Sequence, residues 1–600
     1  MEKDLEKLLL SVQCPARYIG GEINTPNIDE NARVKFCMLS PELYEVGMTD
    51  IKFLTIYHKV NDRKGNSCER CFAPWLDMAS ALKKNNKRLF SLENKKPLHE
   101  FDLLGASLSY QTDFTTLLYM LDLGGITLQA DKRHENEPLV FGMGAATLNP
   151  EVVASFLDFI IVGDAEEVIL PVLECLRSAK TNKFSRSQTL HELAKLQSVY
   201  VPSLNYIEYD KKGNAKGFSM PAVKKAVSMD LDRTYFPTNL QIPNIKTVRE
   251  CVKIEPIRGC TKGCRFCQYS FVSRPIRTRR VANLSSAAMT GVTTTGFSKI
   301  DFVSKCVGEY PKLSALLPEL DAIAVEKKAN YLLPSFEGSQ CYTDFVRLET
   351  KDTLGFTIEA GSLALRNKIN KDLSDDRIEE ALVKAYRAGY SCIKMYFMIG
   401  LPFETGADLL GIIETVKRAK ALYRKNKTGS KPLYLSCVIS NFIPKPFTPF
   451  AWCESISIKE AEKRFRFIKK GLRGLSVRSI FYSPEYSQVE AILSRGGRRI
   501  SDAVILAYKY GSVFDRNKQL FNFKAYQKAF DDLNICIEHE LARRDTSLVL
   551  PWDNVDILVD KCWLLQEFDN AKNGKVTPDC RTGCKACGLS RAGVCKHGNL

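Results

Sequence analysis

The chain has 600 residues, 45% hydrophobic and 26% charged, with a formal net charge of +17. That length predicts three to five domains, and no run approaches the ~18 uncharged apolar residues of a membrane-spanning helix. The start, MEKDLEKLLL, lacks the apolar centre of a secretion signal, so a cytoplasmic protein that engages no membrane is expected. From 30 to 180, strands are predicted at 34–39, 101–108, 126–130, 139–141 and 159–162, with helices at 50–59, 76–84 and 112–121. This alternation predicts a parallel sheet covered by helices. Residues 181–247, with Pro202, Pro221, Pro237 and Pro243, read as a basic connector across the surface. Strand–helix units resume at 251, with strands at 252–257, 300–303, 322–325, 354–359, 392–399 and 433–439 and helices at 376–389 and 406–424. Six such units predict a partial α/β barrel, whose chemistry sits on loops at the carboxyl ends of its strands. Helical patterns follow at 455–472, 487–494, 500–510, 524–534 and 560–571, then a polar, cysteine-rich tail.

The loop after the first barrel strand reads CTKGCRFC and places Cys260, Cys264 and Cys267 at C-x3-C-x2-C spacing. Three thiolates can hold a [4Fe–4S] cluster with one iron left open, whereas four close the shell. Gly259 and Gly263 permit the tight wrap such a loop needs. The alternative, a zinc knuckle, wants a nearby fourth ligand, yet Cys251 lies across the strand-like run and no histidine follows. The tail repeats the spacing at Cys580, Cys584 and Cys587 and adds Cys595, with His597 beside it. A closed site for zinc or a second [4Fe–4S] cluster is expected there, and spacing does not choose between them. Cys68-x2-Cys71 is a weak pattern that reads as buried thiols, like most of the other cysteines.

Residues 181–300 carry 20 Lys and Arg against 7 Asp and Glu, so most of the positive excess surrounds the cysteine loop. Arg274, Arg277, Arg279 and Arg280, with Tyr269 and Phe271 upstream, point to RNA or a phosphate-bearing substrate. Solvated basic loops are the alternative.

Cysteine loop and barrel together resemble the radical S-adenosylmethionine (radical SAM) superfamily. Further segments, among them 14–24 (CPARYIGGEIN), 72–78, 101–109, 163–168, 354–370, 441–450 and 579–587, resemble its large bacterial proteins with a cobalamin (B12)-binding-like N-terminal domain. The resemblance implies a Rossmann-like α/β domain (1–180), the connector (181–247), a partial (β/α)6 barrel (248–454), a mainly helical region (455–575) and a metal-binding tail (576–600). It implies S-adenosylmethionine on the open iron, an electron from a flavodoxin or ferredoxin, and a 5′-deoxyadenosyl radical. Phe266 is then a shield or adenine neighbour, Glu359, Gly361 and Ser362 approach ribose and methionine, and Arg366 pairs with the methionine carboxylate. Gly400 and Pro402 turn the chain over adenine, while Glu404 caps. Gly296–Ile300 lies where relatives carry paired glycines and a glutamate, with Lys299 near the glutamate position. For cobalamin, no D-x-H-x-x-G loop is present. A corrinoid without a histidine ligand would be held by Gly105–Ser109, Gly142, Gly144 and Gly163, with Tyr110 and Gln111 below it; alternatively the domain binds RNA or nothing. The expected reaction is methyl transfer to RNA or a nucleotide-like substrate. The alternatives are sulfur insertion using a C-terminal cluster, a radical reaction on a small molecule, and a non-enzymatic iron–sulfur RNA-binding factor.

Overall fold

The structure is a computed structural model that describes residues 2–205, 207–211, 215–332 and 353–595. Lys35–Ser40 (β1) is buried from Phe36 onward, as a central parallel strand covered on both faces must be. Among the described residues it joins Ser67–Phe72 (β2), Leu103–Ser107 (β3), Leu139–Met143 (β4) and Phe159–Ile161 (β5) in a parallel sheet of order β2-β1-β3-β4-β5. Val199–Tyr200 (β6) adds antiparallel to β5. Strand order reverses between β1 and β3, so a ligand crevice belongs at the carboxyl ends of those two strands.

Two expectations change in this domain. β2 was not predicted, because Glu69 and Arg70 interrupt its apolar pattern. The strand is nonetheless fully buried, and Arg70 is paired with Glu22 at 2.9 Å and Glu93 at 2.6 Å. Residues 126–130, predicted as a strand, instead lead into a short helical turn at Ala130–Lys132. Cys68 and Cys71 lie on β2 in the apolar layers of opposite sheet faces, which fits buried thiols and not a shared ligand.

The connector contains a hairpin of Ile207–Tyr209 (β7) and Ala215–Phe218 (β8), then Val223–Lys224 (β9). The second core starts with Val252–Ile254 (β10) and Ile257–Arg258 (β11), the latter antiparallel to Arg277–Thr278 (β12). β10, Lys299–Phe302 (β13) and Asn330–Tyr331 (β14) are parallel neighbours in chain order. So are Leu354–Glu359 (β15), Cys392–Ile399 (β16), Tyr434–Asn441 (β17) and Val477–Phe481 (β18). β18 carries parallel pairing beyond residue 454, into the region expected to be helical. The predicted strand at 322–325 lies inside the helix Leu313–Lys327: Ile323 is buried but Val325 is 83% exposed, a helical and not a strand pattern.

The C-terminal helices pack on one face of the N-terminal sheet, where Phe114, Leu117 and Val140 share a core with Val489, Ile492, Val504 and Tyr526. Arg498 reaches across to the buried Glu151 at 3.0 Å. Val555–Asp556 (β19) pairs in parallel with β9, closing the connector with a segment from the C-terminal region. Among the described residues no helix is long and apolar enough to cross a membrane.

Candidate active site

The CTKGCRFC loop leaves β11 at the carboxyl end of the first parallel unit, as expected. Gly259 has φ +99°, and a Cβ there would meet Pro275 O at 2.5 Å, so only glycine fits the first wrap. Cys260 and Cys264 are buried and Cys267 half-buried. A hydrogen bond with Cys306, aided by the Lys262 backbone N–H, overcomes burial and brings Cys260 down to about 6. Burial pushes Cys264 up to about 12, against the charges of Lys371 and Lys262. Ser270 Oγ lies 3.8 Å from Cys260 Sγ. Among the described residues no three cysteine, histidine, aspartate or glutamate side chains are already closed around a metal position, in either cysteine group. The donor set of the loop, three thiols on a glycine-turned segment, nevertheless fits a [4Fe–4S] cluster by chemistry.

Glu359 ends β15 at a register shift, with φ +73°, a conformation that costs a non-glycine residue energy and concentrates at functional sites. Burial raises its pKa, opposed by Lys371. Lys371 is itself buried, lies 3.3 Å from Thr357 Oγ1 and acts electrostatically on Cys264. Gly361 has no space for a side chain: a Cβ would stand 2.1 Å from Asp408 O. Ser362 caps the helix Leu363–Lys368 by accepting from Leu365 N. Arg366 is fully buried and donates to Leu373 O at 2.7 Å, to Ala360 O at 3.1 Å and to Asp375. It therefore braces the turn that presents Glu359, with its fork directed into the protein. Gly400 takes φ +76° before Pro402, and a Cβ there would meet Ile456. Glu404, expected as a cap, instead accepts from Leu401 N at 3.0 Å in the preceding turn, the helix Gly406–Asn426 being capped by Thr405 with Asp408; burial pushes Glu404 up to about 7 against the pull of Arg464.

Phe266 and Met398 pack with Phe403, Phe442, Phe450 and Phe568 in one apolar cluster beside this turn. Phe568, from the helix Lys561–Lys572, lies 6.4 Å from Phe403 by ring centroids, a contact no local pattern reveals. The reading of Gly296–Ile300 is corrected. These residues precede and begin β13, at its amino end, and Lys299 is exposed. The segment that follows β13 on the cluster side is Val303–Cys306, where Ser304 Oγ accepts from Ile257 N at 3.2 Å.

On the N-terminal side, the candidate glycines are filled by the fold itself. A Cβ at Gly105 would meet Phe141 at 2.4 Å, at Gly142 Leu157 at 2.6 Å, at Gly144 Leu108 O at 2.4 Å and at Gly163 Ala226 O at 2.3 Å. Past Gly163, Asp164 and Glu166 hold Arg258, two residues before Cys260, at 3.2 and 2.5 Å, and Asp164 also holds Arg277 at 2.6 Å. The turn thus grips the strand that launches the cysteine loop. At the β1/β3 crevice, Tyr110 is 44% exposed beneath Arg516, and Lys445 donates to Gln111 at 3.0 Å. Asp113 is buried, and its Oδ1 has no hydrogen-bond partner. Burial, aided by Asp50 and Glu490 against two backbone donors, raises Asp113 to about 8. This crevice fits an amide-bearing ligand such as a corrinoid in its polar groups; the glycines are not its cradle.

The arginine patch is also corrected. Arg274, Arg277 and Arg279 are at most 7% exposed. They donate to Ser270 O at 2.8 Å, to Asp164 at 2.6 Å and to Leu231 O, respectively. Phe271 is buried, and the Tyr269 hydroxyl accepts from Gly259 N at 3.1 Å. Only Arg280 of the four is open to solvent, and it pairs with Asp232 at 3.0 Å. In the tail, Cys584 is exposed and Cys580, Cys587 and Cys595 are half-buried; His597 lies outside the described residues.

Comparison with known proteins gives two family matches: "Radical SAM proteins, N-terminal" over residues 52–202 and "Radical SAM superfamily" over residues 254–416. An uncharacterized protein of Methanocaldococcus jannaschii is 27% identical over 420 residues, 69% of this chain and 82% of that protein. Among solved structures, the radical SAM methyltransferase TsrM of Kitasatospora setae, with cobalamin and a [4Fe–4S] cluster bound, is similar at 11% identity and TM-score 0.45. That match covers 72% of this chain and 78% of TsrM. The cobalamin-dependent radical SAM enzyme OxsB, with aqua-cobalamin and S-adenosylmethionine bound, is similar at 11% identity and TM-score 0.46, over 90% of this chain and 79% of OxsB.

Proposed function

Because the chain belongs to the radical S-adenosylmethionine superfamily, we propose that it cleaves S-adenosylmethionine reductively and methylates an unreactive carbon of a small, nucleoside-like molecule. The observation that carries this reading is the convergence of the three-cysteine loop with Glu359, Lys371 and the phenylalanine cluster on one side of the parallel core. The cluster, when bound by Cys260, Cys264 and Cys267, supplies the electron that breaks the sulfonium bond. Glu359 and Lys371 provide a paired anion and cation for the amino and carboxylate groups of methionine. Phe266 and Phe403 offer flat apolar walls for adenine. A corrinoid in the crevice of Tyr110, Gln111 and Asp113 would supply a methyl carrier, and the protonated Asp113 carboxyl would offer it an O–H donor from Oδ1. The C-terminal cysteines hold a second metal centre, zinc or [4Fe–4S].

A small substrate is favoured over RNA because the arginines that pointed to RNA are spent inside the protein. Anaerobic incubation with a low-potential reductant and S-adenosylmethionine should yield 5′-deoxyadenosine, and Cys264→Ala should abolish it; persistent product in that variant rejects the cluster assignment. Glu359→Gln should lower the rate about 10- to 100-fold, the loss expected for one charge-assisted hydrogen bond. Protein from cobalamin-replete cells should show the corrinoid absorption bands, and their absence at full iron occupancy would remove that cofactor. A methylthio rather than a methyl mass increment on the product would select sulfur insertion instead.

A further inference from the structure

The cysteine-rich tail lies directly on the CTKGCRFC loop. Asp579, adjacent to Cys580, accepts from Thr261 Oγ1 at 2.7 Å, between the first two cysteines of that loop. Arg265, fully buried between Cys264 and Cys267, donates to Lys575 O at 2.7 Å, to Thr577 Oγ1 at 3.2 Å and to Glu567 at 3.0 Å. Asn370 bridges the two segments, donating to Lys262 O at 3.0 Å and Thr577 O at 3.2 Å while accepting from Thr577 N at 2.8 Å. Glu309 holds Lys262 at 2.7 Å and also pairs with Arg581. The charge of Arg274 acts on Cys260, Cys580 and Cys595 alike, so both thiol groups share one neighbour.

The far end of the tail has a separate foothold. Asp560, at the start of the helix Lys561–Lys572, receives Arg591 and donates its N–H to Cys587 O at 2.9 Å. Between the two footholds, Ala586 N donates to Cys584 Sγ at 3.2 Å, and Ala586 adopts φ +52°. The apolar content of residues 575–595 is small, with Leu589 the buried anchor, so little besides these polar contacts orders the segment.

We propose that Cys580, Cys584, Cys587 and Cys595 bind one thiophilic metal centre, and that loading it latches residues 575–581 onto the radical-SAM cysteine loop so that the two metal sites load cooperatively. The inference rests on the second metal centre of the preceding reading and adds its role: the metal fixes a clasp, and the clasp fixes the loop. Linkage makes the effect mutual, so a cluster on the first loop also tightens metal at the tail. Zinc and a [4Fe–4S] cluster share the required thiolate chemistry, and iron, sulfide and zinc analysis of full-length anaerobic protein separates them.

The test is the rate at which the first cluster loses iron to a chelator such as bathophenanthroline. Cys584→Ser, at an exposed residue, should remove the tail metal and accelerate that loss about tenfold, the equivalent of one or two lost hydrogen bonds. Thr261→Ala should accelerate it similarly while the tail metal stays bound. Cys264→Ser, which disables the first site, should retain one tail metal centre but release it faster. Unchanged metal content in Cys584→Ser rejects the tail site, and metal loss without faster iron release rejects the clasp. If the wild-type first loop binds no cluster that responds to S-adenosylmethionine, the radical-SAM assignment fails, whatever the tail holds.

Discussion

Asp113 illustrates what a buried carboxyl does at the domain junction. Its Oδ2 accepts from Tyr110 N at 2.9 Å and Ser109 N at 3.2 Å, whereas Oδ1 is unpartnered. Burial, the largest cause, raises it from 3.8 to about 8. Between those values the folded state binds the extra proton, so stability is fully present below the lower value and declines as pH rises toward the upper one. Asp113→Asn keeps the acceptor for both backbone donors and removes the titration. Its melting temperature, relative to wild type, should therefore be higher at pH 8 than at pH 5, and an unchanged difference across that range would contradict the assignment. What spacing alone placed together was the loop itself, with Cys260, Cys264, Phe266 and Cys267 on one glycine-turned segment; the cap expected of Glu404 falls instead to Thr405 with Asp408. Lys371, Cys306 and Phe568 were not legible in the sequence, because only tertiary packing brings them to the cluster loop. Arg366 read as a partner of the methionine carboxylate because a single charged residue carries no signal of burial, and its fork is turned inward instead.

At the scale of elements, the contact between the β15 turn and the helix Gly406–Asn426 depends on two small residues. Gly361 and Gly411 meet backbone to backbone, and a Cβ at Gly411 would stand 2.5 Å from Gly361 O. Gly361→Ala should destabilise the fold by about 1–3 kcal/mol through overpacking, read as a lower denaturant midpoint. It should also slow 5′-deoxyadenosine formation, since the turn presents Glu359. Elements with strong periodicity were legible almost to the residue, as for the helix Leu76–Lys84 and the alternating strand β16. β2 was hidden by buried charges, and 322–325 was misread because a short apolar run has no period of its own. The paired strands β9 and β19 are each two residues long, too short for any pattern.

For the whole molecule, net charge misled where position was needed. The segment richest in Lys and Arg is the one that crosses the domain boundary, where arginines serve as internal forks to carbonyls and carboxylates. Sequence-independent RNA binding should accordingly be weak. A fluorescence titration with single-stranded RNA should show a shallow dependence on salt, about one or two phosphate contacts, and a steep dependence would restore an RNA substrate. The C-terminal helices, the N-terminal sheet and the parallel core meet through buried polar and apolar contacts, so the regions expected as separate domains share one interior.

The contact between Thr261 and Asp579 spans 318 residues of chain. A ribosome adding about 5–20 residues per second takes roughly 15–60 s to cover that distance. During this interval the cysteine loop has left the ribosome without its clasp, and a chain that terminates early never acquires one. The cysteine loop of a growing chain is thus left unsecured until a segment 318 residues downstream has been made.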